Sequence, residues 1–438
     1  MLARLEDNHR VALGAILVVA LILRLGALAI ESGYEPVFDS ADYDRHARSI
    51  AAGDGYPQTV IAENGPSAFR PPLYPYMLGG VYLIAGDEAG LDAGRALGAL
   101  LGVLAVACVY AIGGLIWGVR VGLLAASLAA IFPPLVLAHL ALVSEPLFLA
   151  LMLSMVVCTL LARREGGNWR WALAAGALCG LAAMTRSNGA LLAIPAAIGV
   201  WTALPRFSLA SLAAPAAVVL ATVLVVVPWT VRNAGAFDAF VPTNTQTGYG
   251  ISGAFNDDAR DRAGYTATWV LPEATERYRD LFDRADLDER ELDSELRSRA
   301  LSYAGENPGF VVEATLLNFA RSFSALGQEP EATLADRAQL GLGERTAPIV
   351  KWNVRVLDVL ALVALIVISL RAPGALRPWF VWTFPALAVL AAVWVLGSTR
   401  YALPAYPFML LLLAVATAVF ARWPLEAELR PGGRDIIS

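Results

Sequence analysis

Ten long apolar runs constrain the fold of this 438-residue chain more than any other feature. A run of about 20 apolar residues crosses the roughly 30 Å hydrocarbon core of a bilayer as one helix. Because a backbone in lipid must satisfy its own hydrogen bonds, repeated runs predict a bundle of membrane-spanning helices. The runs are residues 11–30, 93–116, 121–140, 145–161, 171–185, 189–204, 209–229, 354–370, 379–396 and 402–420.

The composition agrees with this interpretation. The chain is 57% hydrophobic and only 16% charged, with a mean hydropathy of +0.58, which is far too apolar for a soluble protein of this length. No small-residue cleavage site follows the first run, so we expect a retained helix and not a signal peptide. We predict an all-α polytopic membrane protein with about ten transmembrane helices, interfacial helices and an outer loop cap.

The sidedness of the loops depends on an eleventh apolar segment, residues 71–85. This segment is short for a span and fits a re-entrant or interfacial segment better. If it does not cross, most arginine-rich short loops fall in the cytoplasm, as the positive-inside rule requires, and both chain ends lie inside. The arginines on that side are then Arg4, Arg10, Arg120, Arg163, Arg164, Arg170, Arg206, Arg371, Arg377, Arg422, Arg430 and Arg434.

Residues 230–350 form a long outer segment in this topology. Residues 230–349 hold 20 of the 38 acidic residues and 12 of the 33 basic ones, which argues against nucleic-acid binding. Alternating charge with spaced leucines between 273 and 303 predicts amphipathic helices, and 310–323 predicts a helix that packs on the membrane body. The segment has too few apolar residues for a large independent core, so we expect a small cap.

We therefore divide the chain into three parts. Residues 1–229 are predicted to be an N-terminal transmembrane catalytic module, with a first outer loop over 31–92 that contains a short interfacial helix over 39–52. Residues 230–350 are the outer segment. Residues 351–438 are predicted to contain the C-terminal transmembrane helices and a cytoplasmic tail.

Several kinds of site are excluded by the sequence pattern. The chain has no Walker-type loop and no Gly-rich dinucleotide fingerprint. Its three cysteines fall in apolar runs, as packing residues do, and its three histidines are too scattered to suggest a zinc site. An outward-facing enzyme without a nucleotide site would take its activated group from a lipid carrier in the bilayer.

The outer face collects charged residues that meet the needs of sugar transfer from a polyprenyl phosphate. That reaction needs a base for the acceptor hydroxyl and a clamp for the leaving phosphate, and carboxylates and arginines supply these. Asp39, nine positions past the first run, is the predicted base, with Glu145 in support. The predicted substrate-binding residues are Asp42, Arg70, Arg186, Arg232, Arg400 and Tyr401.

Most of these residues also have a structural alternative. Asp39 could cap the helix that follows it, and Asp42 or Glu145 could simply occupy a first helical turn, where the helix dipole favours a carboxylate. Arg186 could snorkel from a tight outer turn to the interface. Arg400 stands at an outer helix start, where the dipole disfavours a cation, so an anionic neighbour is expected there.

The order and spacing of seven motifs resemble the membrane-embedded glycosyltransferases of the GT-C type. Specifically, the chain resembles the bacterial family 39-like group, which is similar to dolichyl-phosphate-mannose protein mannosyltransferases and lipid A aminoarabinose transferases. It extends over nearly the whole chain. The motifs are Asp39 with Asp42-Tyr43, Ala68-Phe69-Arg70-Pro71-Pro72-Leu73-Tyr74-Pro75, Ser144-Glu145-Pro146-Leu147-Phe148, Met184-Thr185-Arg186-Ser187-Asn188, Pro228-Trp229-Thr230-Val231-Arg232-Asn233, Glu306-Asn307-Pro308 and Arg400-Tyr401-Ala402-Leu403-Pro404.

The resemblance implies a hexosyl- or pentosyltransferase of the plasma membrane with an outward-facing site. It implies a polyprenyl-phosphate sugar donor, an inverting single displacement, and a glycan, lipid or protein acceptor in the cell envelope. The first-loop base falls on Asp39, and Glu145 helps to shape the site. The family often has a second acid beside the first, whereas Ser40 follows Asp39 here, and Ser187 replaces the usual proline after Arg186. We predict no cofactor and no metal. Because Ser40 stands where the family often has a second acid, dependence on a divalent metal is left open.

Two rival classes remain. A transporter or flippase of a lipid-linked sugar would use broken helices, for which prolines within the runs are suitable, but the paired mid-membrane charges and related halves of such proteins are not visible. A purely structural membrane scaffold would leave the outer charges unexplained.

Overall fold

The computed structural model describes residues 8–63, 65–202 and 208–425. These residues form α-helices, 3₁₀-helices, turns and loops, with no strand among them, so the predicted all-helical fold class is confirmed. Part of the predicted topology lies outside the described residues, namely Arg4, Arg206, Arg430, Arg434 and the cytoplasmic tail.

The N-terminal part of the chain is a bundle of mostly apolar helices. Its members are α1 His9–Ile30, α2 Asp39–Ala52, α3 Leu73–Ala85, α4 Asp87–Trp117, α5 Val119–Ile131, α6 Pro133–Leu137, α7 Glu145–Arg164, α8 Trp169–Ala183, α9 Ala193–Val200 and α10 Leu209–Phe237. A 3₁₀-helix over Ser187–Leu192 leads into α9. The predicted short helix of the first outer loop is present as α2, although its position in an interface stays a prediction.

The outer segment and the C-terminal part follow. The outer segment contains α11 Thr247–Ala254, α12 Asp257–Arg260, α13 Arg279–Phe282, α14 Glu289–Glu306, α15 Pro308–Ser322 and α16 Pro330–Gln339, with a 3₁₀-helix over Pro272–Ala274. The C-terminal part contains α17 Thr346–Arg371, α18 Trp379–Val393 and α19 Tyr406–Phe420, with 3₁₀-helices over Pro373–Leu376 and Thr399–Ala402.

Five described helices, α1, α4, α7, α10 and α17, are long and apolar enough to cross a membrane, and the chain is a membrane protein. Shorter apolar helices occupy most of the other predicted runs. Proline divides the run over 121–140 into α5 and α6, because a proline cannot donate the backbone hydrogen bond that would continue the helix. Because α3 is as long as α5, helix length does not distinguish it from the predicted spans, and the number of crossings stays a prediction.

Arg24 forms hydrogen bonds on both sides of the break between α5 and α6. Its side chain is only 1% exposed, and it donates to the carbonyls of Ala130 at 3.4 Å and Leu135 at 3.2 Å. Carbonyls beside a proline break lack helical partners, and a guanidinium can satisfy several of them at once. This arrangement secures the turn that leads to Ser144 and Glu145.

The outer segment has its own buried cluster, which is joined to the membrane body. Leu292, Leu296 and Tyr303 of α14 pack against Phe255 and Phe310, and all five side chains are buried. Trp394 and Val395, which directly follow α18, pack against the same cluster. The predicted helix over 310–323 is confirmed as α15, whereas α16 was not predicted.

A buried carboxylate within the outer segment makes stability depend on pH. Asp293 is 5% exposed and accepts from the backbone N–H of Gly248 at 2.5 Å. Burial raises its pKa to about 6, which outweighs the lowering by Gly248 and Arg297. Because this pKa lies above the value of about 3.9 in an unfolded chain, the contribution of Asp293 to stability falls as the pH rises from about 4 through about 6.

We therefore expect Asp293→Asn to stabilise the protein at pH above about 6, because asparagine keeps an acceptor oxygen and removes the buried charge. The gain should be about 1–3 kcal/mol near pH 8 and close to zero near pH 4. Thermal unfolding in detergent at both pH values measures it, with the exposed Asp283→Asn as the control. An equal shift at both pH values would contradict this account.

Candidate active site

The site is centred on Asp39, the first residue of α2. The N-cap position is held by Phe38, whose positive φ of 50° is unusual for a bulky residue, and no side chain caps the helix. The alternative that Asp39 is the N-cap is therefore wrong. Its carboxylate instead accepts from Arg70 Nη2 at 2.7 Å, from Arg400 Nη1 at 3.0 Å and from Gln339 Nε2.

Arg70 joins the two acids of the first outer loop. Its Nη2 donates to Asp39 and its Nε donates to Asp42 Oδ2, both at 2.7 Å. The guanidinium is 5.0 Å from the ring centroid of Tyr43, and the whole residue is only 6% exposed. Asp42 also accepts from Arg45 at 2.9 Å. A guanidinium held by two charge-assisted bonds has little freedom, so the spacing of the two carboxylates is fixed by Arg70.

A second ion-paired group lies beside the first and shares Arg400 with it. Glu145 opens α7, as predicted, and Arg186 Nη1 lies 2.8 Å from its Oε1. Arg400 Nε lies 3.7 Å from the same oxygen, and Arg400 Nη2 donates to the hydroxyl of Tyr401 at 2.7 Å. The Arg186 guanidinium is 5.4 Å from the Tyr401 ring centroid. The anionic neighbours expected for Arg400 are thus Asp39 and Glu145.

The ion pairs of the site keep Asp39, Asp42 and Arg400 charged. Burial raises the pKa of Asp39, but Arg70 and Arg400 outweigh burial and hold that pKa well below its usual range. Burial also raises the pKa of Asp42, and His46 and Arg70 reverse that effect. For Arg400, burial lowers the pKa, while Tyr401, Asp39 and Glu145 raise it well above the usual value. At neutral pH Asp39 and Asp42 are therefore ionised and Arg400 is cationic.

Sequence reasoning missed two residues of α16 that reach this site. Gln339 donates to Asp39, and its carbonyl accepts from the hydroxyl of Ser40 at 3.3 Å. Asp336 accepts from Gln328 at 3.1 Å, and burial raises its pKa although Arg400 partly offsets that effect. A polar helix of ten residues in an acidic segment carries no pattern that would have pointed to Asp39.

A small, partly open cavity lies beside Arg400. Its polar end is formed by Glu145, Arg186, Asn188, Arg400 and Tyr401, and its apolar wall by Phe148, Ala388, Ala392, Leu403 and Pro404. Within the described part of the chain, the buried Nε of Arg400 and Oδ1 of Asn188 have no hydrogen-bond partner. Buried polar groups are normally satisfied, so these two atoms are available for a ligand.

Arg232 lies apart from these groups. Its Nη1 donates to the carbonyl of Ser67 at 2.9 Å, and its guanidinium is 4.7 Å from the ring centroid of Trp229. The structure therefore gives Arg232 backbone and aromatic contacts, and its substrate-binding role stays a prediction. Among residues 8–63, 65–202 and 208–425, no group of three His, Cys, Asp or Glu side chains is placed to hold a metal ion. The expectation that the protein uses no metal also stays a prediction.

Comparison with known proteins supports the resemblance seen in the motifs. The profile of the family described as dolichyl-phosphate-mannose-protein mannosyltransferase matches residues 69–231, which include Arg70, Glu145 and Arg186. No curated protein sequence matches the chain.

Two solved structures of an archaeal oligosaccharyltransferase share the architecture. The archaeal oligosaccharyltransferase AglB from Archaeoglobus fulgidus, in complex with an inhibitory peptide and a dolichol-phosphate, aligns with a TM-score of 0.51 at 16% identity, over 97% of this chain and 52% of its own. The apo oligosaccharyltransferase of the same organism gives 0.54 at 16% identity, over 94% and 51%. ArnT from Cupriavidus metallidurans bound to undecaprenyl phosphate gives 0.42 at 16% identity, over 93% and 77%.

The chain thus has the fold of the GT-C membrane glycosyltransferases, and spans about half the length of the archaeal structures that share it. At 16% identity the structural likeness establishes the fold alone. The family profile confirms the predicted resemblance to GT-C glycosyltransferases of the mannosyltransferase type.

Proposed function

We propose that this protein is an inverting glycosyltransferase that moves a sugar from a polyprenyl-phosphate donor to an acceptor hydroxyl on the outer face of the plasma membrane. One observation carries the proposal. Asp39, Glu145, Arg186 and Arg400, chosen from separate parts of the sequence for this chemistry, form one connected charge network. A scaffold has no need of such a network, and a buried ionised group is costly without a function or compensation.

The proposed reaction is a single displacement. The acceptor oxygen attacks the anomeric carbon, the bond from that carbon to the phosphate oxygen breaks, and polyprenyl phosphate leaves with the bonding electrons. The acceptor hydroxyl proton passes to the Asp39 carboxylate, and general-base help of this kind contributes about 10²- to 10⁴-fold. Arg186 and Arg400 hold the leaving phosphate by charge-assisted hydrogen bonds.

Arg400 also links donor binding to the strength of the base. A carboxylate held by two arginines is ionised but weakly basic, and Arg400 is one of the two. When Arg400 turns to the donor phosphate, Asp39 keeps Arg70 and loses part of its cationic stabilisation. The pKa of Asp39 then rises toward that of a useful base.

The cavity beside Arg400 is suited to a lipid phosphate. Arg186, Asn188 and Arg400 at its polar end would bind the phosphate, and the Nε of Arg400, which has no hydrogen-bond acceptor among the described residues, supplies a donor. Phe148 of α7 and Ala388 of α18 form the apolar wall of this small cavity, beside which the lipid chain would lie. The matching family profile names dolichyl-phosphate-mannose, and AglB was solved with dolichol-phosphate, which supports a donor of this class.

Proteoliposomes that contain the purified protein and a radiolabelled polyprenyl-phosphate sugar test the proposal. With crude envelope fractions as acceptor, we expect label in a covalent product in which the sugar no longer carries the lipid phosphate. Heat-inactivated protein is the control. Movement of the labelled lipid across the bilayer without a covalent product would instead establish a flippase or transporter.

Arg186→Gln should weaken donor use. Arg186 contacts Glu145 and lines the cavity, and within the described part of the chain none of its contacts reaches Asp39, so its loss should act mainly on donor binding. We expect the KM for the donor to rise about tenfold, with a smaller change in kcat. Initial rates at varied donor concentration measure the effect, and the exposed Arg279→Gln is the control. A pure loss of kcat would place Arg186 in the chemical step instead.

A further inference from the structure

Glu289, the first residue of α14 in the outer segment, is completely buried. Its carboxylate accepts from the Ser67 hydroxyl at 2.8 Å, from the Ala68 backbone N–H at 2.8 Å and from the Thr245 hydroxyl. All three donors are neutral. Burying a carboxylate costs free energy unless charged partners or several hydrogen bonds compensate it. This contact therefore holds two loops together at a cost in free energy.

Two of the three residues bound by Glu289, Ser67 and Ala68, belong to a short non-helical segment, Ser67 to Arg70, in which every residue is buried. The segment is held along its length. The Ser67 carbonyl accepts from Arg232, the Ala68 carbonyl accepts from the Thr245 N–H at 3.1 Å, and the Arg70 carbonyl accepts from the Tyr56 hydroxyl. These contacts join the first outer loop to the outer segment at the residues immediately before Arg70.

Arg70 lies two residues beyond the Glu289 contact and is the residue that bridges Asp39 and Asp42 at 2.7 Å each. Its bonds to both acids require its backbone to be in one place. A displacement of about 1 Å at a supporting residue can cost on the order of 10²-fold in rate. The position of the guanidinium at Asp39 therefore depends on how firmly the segment is held at residues 67 and 68.

We propose that Glu289 is a positioning residue, through which the outer segment holds Arg70 against the Asp39 carboxylate. A carboxylate has about four acceptor sites and can receive all three donors, whereas a glutamine oxygen has two and its NH₂ group would face a donor. The need for enough acceptor sites to receive three donors explains why this position holds an acid. The anchoring does not depend on the reaction, whereas its catalytic consequence rests on the proposed function.

The test compares Glu289→Gln with Glu295→Gln, an exposed residue of the same helix. Carbodiimide-dependent labelling of Asp39, followed by mass spectrometry from about pH 4 to about pH 7, reports the protonation of Asp39 without turnover. In Glu289→Gln we expect Asp39 labelling to appear at higher pH than in the wild type, because Arg70 no longer holds the charged form. Glu295→Gln should match the wild type.

Kinetics supply the second measurement. In Glu289→Gln, kcat should fall about 10- to 100-fold, because an Asp39 carboxylate that Arg70 no longer holds is misplaced for proton transfer even though it is more basic. The donor KM should stay within about twofold, because the cavity beside Arg400 is unchanged. Ser67→Ala removes one donor and keeps the buried carboxylate, so it should give a smaller shift of the same sign in a protein that folds. If Glu289→Gln and Ser67→Ala lower the melting temperature but leave the pH dependence of Asp39 labelling unchanged, Glu289 is only structural and the proposal is overturned.

The two readouts separate this proposal from the proposed function. A shift in Asp39 labelling without sugar transfer by the wild type would support the anchoring and reject the transferase. Sugar transfer by the wild type, with no labelling shift in Glu289→Gln, would support the transferase and reject the anchoring.

Discussion

Asp39→Asn should abolish detectable sugar transfer, with a loss of about 10²- to 10⁴-fold in kcat. Asparagine has nearly the same shape as aspartate and retains an acceptor oxygen, but it cannot take the proton of the acceptor hydroxyl. The measurement is transfer of radiolabelled sugar from a polyprenyl phosphate in membranes, normalised to the amount of folded protein. Donor binding should be largely retained, because Arg186 and the apolar wall of the cavity are untouched.

The variant should still fold, since the two arginines that contact Asp39 have further partners. Arg70 keeps its 2.7 Å bond to Asp42, and Arg400 keeps Tyr401 at 2.7 Å and Glu145 at 3.7 Å. Removing one member of a fully isolated buried pair would cost about 3–5 kcal/mol, and these remaining contacts reduce that loss. Thermal unfolding in detergent checks the expectation.

The matched control is Asp54→Asn, which changes an exposed aspartate just beyond α2 and should transfer sugar normally. Asp39→Glu keeps the carboxylate but moves it by one methylene, so partial activity is expected. If folded Asp39→Asn transfers sugar at the wild-type rate, Asp39 has no part in the mechanism and the base must be sought elsewhere.

Arg400→Gln is expected to have the second largest effect, with kcat/KM for the donor reduced about 10²- to 10³-fold. Among the residues that the structure describes, only Arg400 both contacts Asp39 and lines the cavity, where its neighbours are Glu145 and Arg186. In the proposed mechanism, its loss removes a donor to the leaving phosphate and also frees Asp39 from one cation. Both kcat and KM should therefore change, in contrast to the KM effect expected for Arg186→Gln.

A binding measurement isolates the phosphate contribution of Arg400. Polyprenyl phosphate without a sugar should inhibit the wild type as a product and should inhibit Arg400→Gln much more weakly. The exposed Arg345→Gln, before α17, is the control and should behave as the wild type. Unchanged inhibition in a folded Arg400→Gln would show that Arg400 does not hold the phosphate and acts on Asp39 alone.

The location of the site could be inferred from local features. Asp39 stands just after an apolar run, Glu145 and Arg400 stand next to prolines or helix starts, and Arg186 occupies a tight turn. Each of these features depends on a few neighbouring residues, and the structure brings all four side chains into one network. Arg232 had a similar local signature, yet it contacts Ser67, because a position on the predicted outer face does not determine which neighbour a side chain meets.

The contacts that define the site join residues far apart in the chain. Asp39 meets Gln339 across 300 positions and Arg400 across 361, and Ser67 meets Glu289 across 222. Nothing in the composition around Gln339 or Glu289 distinguishes them from the other polar residues of an acidic segment. Their roles follow from the packing of α16 and α14 against the first outer loop.

By itself, the sequence determined that this chain is a helical membrane protein with charged residues at one set of helix ends. It could do so because hydrophobic length and helical periodicity are properties of short, contiguous stretches. Only the tertiary structure decided that Arg70 bridges Asp39 and Asp42, that Arg400 joins two ion-paired groups, and that Glu289 holds the segment before Arg70. Those contacts depend on how distant helices pack, and a hydrogen bond that requires about 3 Å cannot be inferred from residue type and spacing alone.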